Sequence, residues 1–495
     1  MRFSLSSRSR LTLPCVALTV NLLSGAVCGQ VAFNPLEHSG PASPYFDAPS
    51  QSGIQVDTPA GCVVDQAAYI VRHGARYPEP GSFASWQSLF SKIQNASFTA
   101  RGPLSFLPSW VPPVDDASHE IAFLSATGAA EAFGLGVGLR KRYGFTSGGG
   151  NLTVWSASQQ RVLDTASYFL RGYLSQGSYL GLPTENRGTV VSLPDSVNFT
   201  FANSLTPTTS CPAFATGDTS SARANAFRAS FQGAIAKRIN KFLDGLQINS
   251  SDVGVMQDLC GFQAEINGDT RFCDVFQPSE WLDYEYADDL NYYYGSGPGN
   301  PFSGATGFPL LKAITDLFVL GPDRSTPFGS FVPPPLLMGF THDNDLPPVI
   351  SALGIWNDSD VSPLSPTTPN PKRHFRSSYL VAFRGYIALE RLSCGAPEAP
   401  TVRHIPGQVN MQPGARADAA KFVRIRVNTS PVPVPECTSG PGLTCPLENF
   451  AKYVAKRGES VGDYITTCGL QDVSNATGTA DFFTNIPAGT AMLLL

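Results

Sequence analysis

The chain has 495 residues, of which 42% are hydrophobic and only 15% charged, with 46 Gly and 41 Pro. That length allows a large core and two structural regions sharing one site, and the Gly and Pro content implies many turns and ordered loops. The net formal charge is −5, or −8 with three N-terminal arginines set aside (31 basic against 39 acidic side chains), which argues against nucleic acid or an anionic membrane as a partner.

Arg2, Arg8 and Arg10 open the chain, an apolar stretch follows over 11–26, and small residues (Ser24, Gly25, Ala26, Gly29) close it. Pro14 and Asn21 interrupt the stretch, so 1–29 reads as a secretory signal rather than a membrane anchor, and a secreted, extracellular protein is expected. Residues 30–60 are rich in Pro, Gly and Ser and read as an irregular arm. A strand over 63–71 ends abruptly in Arg72-His73-Gly74. A helix rich in small residues begins near Thr127, and a short strand covers 152–156. Helical spacing over 159–174 puts Val162, Ala166, Phe169 and Tyr173 on one stripe, and a third strand covers 189–193. This alternation implies a parallel sheet with helices on its faces.

The middle differs. Residues 220–242 repeat Phe227, Phe231, Ile235 and Ile239 at helical spacing, 280–294 is aromatic and acidic, and 305–320 is helical again. We read 205–325 as an inserted helical domain. Beyond it, a strand over 335–341 runs into His342-Asp343, a helix covers 346–356, and strands cover 377–392 and 421–427. An α/β fold is therefore expected over 30–204 and 326–495, its mainly parallel sheet flanked by helices. Prolines at 362–371 mark a surface loop.

Eight cysteines lie beyond the leader: Cys62, Cys211, Cys260, Cys273, Cys394, Cys437, Cys445 and Cys468. An even number behind a secretory signal points to disulfides, and without a Cys-x-x-Cys pair zinc is not expected. Spacing alone leaves the pairing open. Sequons at Asn95, Asn151, Asn198, Asn249, Asn357 and Asn475 suit the same compartment, whereas at Asn428 a proline follows the sequon.

Hydrolysing a phosphate monoester needs cations around the phosphate oxygens, an in-line nucleophile and an acid for the leaving alcohol. No metal or other cofactor is expected, because Arg72-His73-Gly74-Ala75-Arg76-Tyr77-Pro78 offers another solution. Guanidinium groups fork onto phosphate oxygens, a neutral imidazole can attack phosphorus, and Gly74 would let backbone approach the ligand. His342-Asp343, at the end of another strand, would add a phosphate donor and an acid. The ordinary uses are a surface turn for Arg-His-Gly, a helix N-cap for His-Asp and a salt bridge for Arg161.

These residues resemble the histidine acid phosphatases, the secreted branch of the histidine phosphatase superfamily that includes fungal phytases and acid phosphatases. The Arg-His-Gly-x-Arg-x-Pro motif is complete at 72–78. Leu124-Ser125-Ala126-Thr127-Gly128, Ser156 through Arg161-Val162, Tyr293-Tyr294-Gly295 through Asn300-Pro301 and Thr341-His342-Asp343-Asn344 also match. The resemblance implies a phosphoglycerate-mutase-like sandwich and metal-independent hydrolysis of small phosphate monoesters at acid pH. It implies His73 as nucleophile, Arg72, Arg76, Arg161 and His342 as phosphate ligands and Asp343 as proton donor. It also implies the disulfides Cys62–Cys394, Cys211–Cys468, Cys260–Cys273 and Cys437–Cys445, the first tying the nucleophile strand to a distant part of the sheet.

The chain departs from the phytases where they carry lysines. After Pro78 no lysine occurs until Lys92, Asn291-Tyr292 stands where a Lys-Lys pair is usual, and Asp288 and Asp289 add negative charge. Lys372-Arg373-His374 reads as a solvated loop. Fewer rim lysines weaken a polyanion more than a single phosphate, so a broad acid phosphatase is favoured over a dedicated phytase. A phosphomutase and a non-catalytic phospho-ligand-binding glycoprotein are the alternatives.

Overall fold

The strand expected over 63–71 forms, and from Gln66 to Arg72 every residue of it is buried, as in a strand covered on both faces. The computed structural model describes residues 32–145, 152–175, 188–195, 201–322, 332–357, 363–395, 419–486 and 491–494. The leader 1–29 and the sequons at Asn151 and Asn198 lie outside the described residues. The elements and the site all belong to one compact unit, Pro35–Leu495.

The strands are β1 (Cys62–Arg72), β2 (Thr99–Ala100), β3 (Leu152–Ala157), β4 (Gly188–Leu193), β5 (Leu243–Asp244) and β6 (Leu336–Thr341). They continue with β7 (Tyr386–Cys394), β8 (Ala420–Val427), β9 (Ser430–Val432), β10 (Cys445–Pro446) and β11 (Ala491–Leu494). The main sheet runs β10-β8-β7-β1-β6-β3-β4-β11, with β9 also on β8, while β2 and β5 form a separate ribbon. Strands β1, β6, β3 and β4 are mutually parallel at its centre. Strands β7 to β10 extend one side antiparallel and β11 closes the other.

The helices are α1 (Pro80–Gln94), α2 (Ala117–Glu120), α3 (Ala126–Tyr143), α4 (Gln160–Leu174), α5 (Pro212–Gly217), α6 (Ser220–Ile239) and α7 (Ser250–Asn267). Then come α8 (Pro278–Gly295), α9 (Ser303–Leu320), α10 (Leu346–Leu353), α11 (Ser377–Leu380), α12 (Leu447–Val461) and α13 (Tyr464–Cys468). The expected stripe of α4 is buried with Leu135 and Leu139 of α3 against Tyr69 and Val71 of β1 and Met338 and Phe340 of β6. The small residues of α3 have a packing reason: a Cβ on Gly136 would lie 2.2 Å from the carbonyl oxygen of Phe169. Helix α10 packs beside β1, α12 beside β8, and α9 against both helices.

Two expected elements are revised. The strand over 377–392 begins only at Tyr386, because Ser377 to Leu380 form α11 and Ser377 donates from both N and Oγ to the buried Asp289. An apolar run cannot separate a helical turn from a strand when a side chain offers the backbone such a partner. The helix from 346 stops at Leu353, where Gly354 takes a left-handed cap (φ 67°). Helices α1, α7 and α12 and strand β11 have no counterpart among the elements read from the sequence.

All four disulfides implied by the resemblance are formed. Cys62 and Cys394 face each other across β1 and β7, so this bond staples neighbouring strands rather than distant parts of the sheet. Asn95, Asn249, Asn357 and Asn475 are exposed. Asn428 is buried, and its amide accepts from Tyr386 N and donates to Tyr379 O.

Buried acids make stability depend on pH. Burial pushes Asp258 up to about 6 and Glu265, Asp288 and Asp345 up to about 7. Each holds a proton in the folded chain that the unfolded chain has lost by pH ~5, so its contribution is full below the unfolded value near 4 and disappears as pH rises to 7. Burial and neighbouring cations oppose this by lowering His73 well below its usual value and His342 to about 4, so the histidine contribution is lost as pH falls from about 6.5. Four carboxyls outweigh two imidazoles. The melting temperature is expected to be several degrees higher at pH 5 than at pH 7, and a thermal scan showing equal or lower stability at pH 5 would contradict this.

Candidate active site

Parallel pairing of β1 with β6 sets Arg72 beside Thr341, so the next residues, His73 and His342, leave the sheet side by side. Their rings stand 5.8 Å apart, centroid to centroid. His73 N donates to Thr341 O (3.0 Å), and Arg384 N donates to His73 O (2.9 Å), so the nucleophile candidate is held by chain segments on both sides. Strand β3 lies next to β6, and α4 after it carries Arg161 in its first turn. The carboxyl ends of parallel strands are where such folds place their ligands.

The loop after His73 is strapped to the neighbouring helices. Gly74 N donates to Thr165 Oγ1 (3.1 Å) and Ala75 N to Glu131 Oε2 (3.1 Å). Ser125, the N-cap of α3, donates from N and Oγ to Ala75 O while its Oγ accepts from Gly128 N. The Leu124-to-Gly128 segment thus acts by positioning the loop. Gly74 serves the same contact: a Cβ there would lie 2.6 Å from Gly128 O, so its small size is needed against α3.

The electrostatics follow from this packing. Arg72 is 1% exposed; its Nη1 donates to the carbonyls of Pro41 and Val381, its Nη2 lies 2.9 Å from Asp343 Oδ2, and its guanidinium sits 4.6 Å above the Phe383 ring. Arg76 Nη1 donates to Tyr77 O, and Arg161 Nη1 donates to Ala122 O. Arg72 Nε, Arg76 Nε, Arg161 Nε and His342 Nε2 are all buried without a hydrogen-bond partner. Buried donors are almost always paired, so three unpaired guanidinium Nε–H groups, beside an imidazole nitrogen that can carry a hydrogen, suit an anion.

His73 Nδ1 is 2.9 Å from Gly74 O. A carbonyl only accepts, so Nδ1 carries the hydrogen and Nε2 keeps its lone pair. Burial, with Arg72, Arg76, Arg161 and His342 around it, keeps His73 neutral well into the acid range. For Asp343 burial alone would raise the carboxyl, but Arg72, Arg76, His342 and the Tyr292 hydroxyl together hold it at about 2. Burial, with the other arginines, lowers Arg76 to about 10.

All six residues singled out from the sequence thus meet at one place, and two more join them. Tyr292 of α8 donates to Asp343 Oδ2 (3.0 Å), and Glu79 Oε1 lies 2.9 Å from Arg161 Nη2 and 3.8 Å from Arg76 Nη2. The sequence signal for Tyr292 is its position in place of a lysine, and for Glu79 a carboxylate directly after an arginine-rich motif. Three charge readings are corrected. Asp288 pairs with Arg228, and Asp289 with Arg373, so neither leaves uncompensated charge at the rim. Arg373 is not solvated; it is buried between Glu285 and Asp289. The first lysine after the motif, Lys92, is tied to Asp252.

A family model described as histidine phosphatase superfamily (branch 2) matches residues 63–428. A phytase of Candida albicans is 30% identical over 447 residues, covering 88% of this chain and 87% of the relative. An acid phosphatase of Komagataella pastoris is equally similar, 30% over 447 residues with 88% and 87% covered. Among solved structures, the phytase from D. castellii superposes with a TM-score of 0.76 at 24% identity, covering 91% of this chain and 90% of that one.

Proposed function

Because the chain belongs to branch 2 of the histidine phosphatase superfamily and is a phosphoric monoester hydrolase of the acid phosphatase and phytase kind, we propose that it works through a phosphohistidine on His73. The observation that carries this reading is a neutral imidazole surrounded by four residues with unpartnered buried nitrogens, the Nε atoms of Arg72, Arg76 and Arg161 and Nε2 of His342, with a carboxyl 2.9 Å from one of the arginines. Arg72, Arg76, Arg161 and His342 hold the phosphate oxygens. His73 Nε2 attacks phosphorus as the P–O bond to the alcohol breaks, and Asp343 gives its proton to the departing oxygen. Water then attacks the phosphoenzyme, its proton returns to Asp343, and orthophosphate leaves with His73 neutral again.

Asp343 is ionised in the free site, so the proton must be acquired on binding. A phosphate dianion cancels the guanidinium charge that holds the carboxyl near 2, which lets it protonate as substrate arrives. The preferred substrates are small monoesters, with phytate turned over less well, because no lysine follows Pro78 until Lys92, which is tied to Asp252, and Asn291-Tyr292 replaces a lysine pair. We take 205–325 as an inserted domain that brings Tyr292 to the site, and 1–29 as the signal that exports the chain. No helix among the described residues is long and apolar enough to cross a membrane.

The test is rapid quenching of the protein during turnover of a radiolabelled phosphate ester, EDTA present. Label that is stable in base, labile in acid and mapped to His73 is expected. Turnover without any such label at His73 would remove the proposed intermediate.

A further inference from the structure

Glu79 stands where a helix usually receives a cap. It is the residue before Pro80, at the N-cap of α1, with extended backbone (φ −68°, ψ 160°). Its side chain makes no capping bond there. The carboxylate instead turns to the arginines, 2.9 Å from Arg161 Nη2 and 3.8 Å from Arg76 Nη2. The side chains of Arg161 and Arg76 are 13% and 11% exposed, whereas that of Glu79 is 41% exposed, so the carboxylate occupies the solvent side of the cation pair.

Resting on the hydrolase reading, we propose that Glu79 is a specificity-determining residue that compensates Arg76 and Arg161 at the mouth of the site and so selects esters carrying a single phosphate on an otherwise uncharged alcohol. Two features support this. The Nε atoms of the two guanidiniums are buried without partners and their Nη1 atoms donate to backbone carbonyls, while their Nη2 atoms face Glu79, which leaves the Nε–H groups for the reacting phosphate. A second or third phosphate on the same substrate would have to sit outside the reacting one, toward that carboxylate. Repulsion there grows with the number of extra charges, whereas the reacting phosphate meets the same donors in every substrate.

The test compares wild type with Glu79→Gln, which keeps the shape and removes the charge. kcat/KM is measured at pH 5.5 and low ionic strength for p-nitrophenyl phosphate and for phytate. The ratio of phytate to p-nitrophenyl phosphate is expected to rise about tenfold, the effect of one unit charge a few ångström away at a partly screened surface, and the rise should shrink in 0.5 M salt. An unchanged ratio, or an equal fall on both substrates, overturns the proposal; the latter would make Glu79 a support for the arginines only. Glu79→Thr, which restores a capping hydroxyl to α1, serves as a second variant. Failure of both variants to fold also counts against a residue whose role is charge selection. If wild type hydrolyses neither ester, the hydrolase reading itself fails, whatever the variants do.

Discussion

Replacing His73 with Ala is expected to reduce kcat on any phosphate monoester by about 10⁴-fold or more, the scale seen when a covalent nucleophile is removed. The size follows from the site. The His73 ring is oriented by the bond from Nδ1 to Gly74 O, and burial among three arginines and His342 keeps it neutral, so Nε2 keeps its lone pair at acid pH. His342 does not replace it: its ring lies 5.8 Å away from that of His73, just past the end of β6. The fold should survive, because the substitution loses one hydrogen bond to Gly74 O, worth about 1 kcal/mol, and leaves the backbone ties to Thr341 and Arg384 in place. Steady-state rates on p-nitrophenyl phosphate, with circular dichroism as the control for folding, check this. Turnover within tenfold of wild type in a folded variant would exclude His73 as the nucleophile.

Asp343→Asn is expected to lower kcat by about 10² to 10³ for esters of alkyl alcohols, the usual worth of a positioned proton donor. The loss should be far smaller for p-nitrophenyl phosphate, whose leaving group departs without a proton. Asparagine keeps an oxygen that can accept from Tyr292 and Arg72, so those two contacts are preserved, while the bond from Asn344 N to the other oxygen is lost. Removing the negative charge beside Arg72 should also tighten orthophosphate inhibition. A merely structural role for Asp343 would lower both substrates alike and leave phosphate affinity unimproved or worse. Comparing glycerol 2-phosphate with p-nitrophenyl phosphate and measuring the phosphate inhibition constant separates the two.

Where sequence and structure part, the cause is a neighbour distant in the chain. The strand expected over 377–392 loses its first turn because a buried aspartate 88 residues earlier in the chain captures Ser377. Asp288, Asp289 and Arg373 look like charges near a rim or in a solvated loop. Whether a charge is compensated depends on its spatial neighbour, and here Arg228, Arg373 and Glu285 all come from other segments. Helix α1 hides behind Glu79-Pro80-Gly81-Ser82, which has the composition of a turn, although proline at the first helical position starts a helix well.

What the sequence determined by itself was the chemistry that one short segment can carry. His73 with Arg72 and Arg76, and His342 with Asp343, each follow a recognisable strand, because burial on both faces leaves a continuous apolar run and the run ends where the polar residues begin. Only the tertiary structure decided how those segments meet and what restrains them. The order β1-β6-β3 brings His73, His342 and Arg161 together, α8 delivers Tyr292 to Asp343, and the turn into α1 sets Glu79 over the arginines. Periodicity is a local property with periods of 2 and 3.6 residues, whereas charge compensation is a property of neighbours in space, and 51 residues of chain separate Tyr292 from the carboxyl it holds.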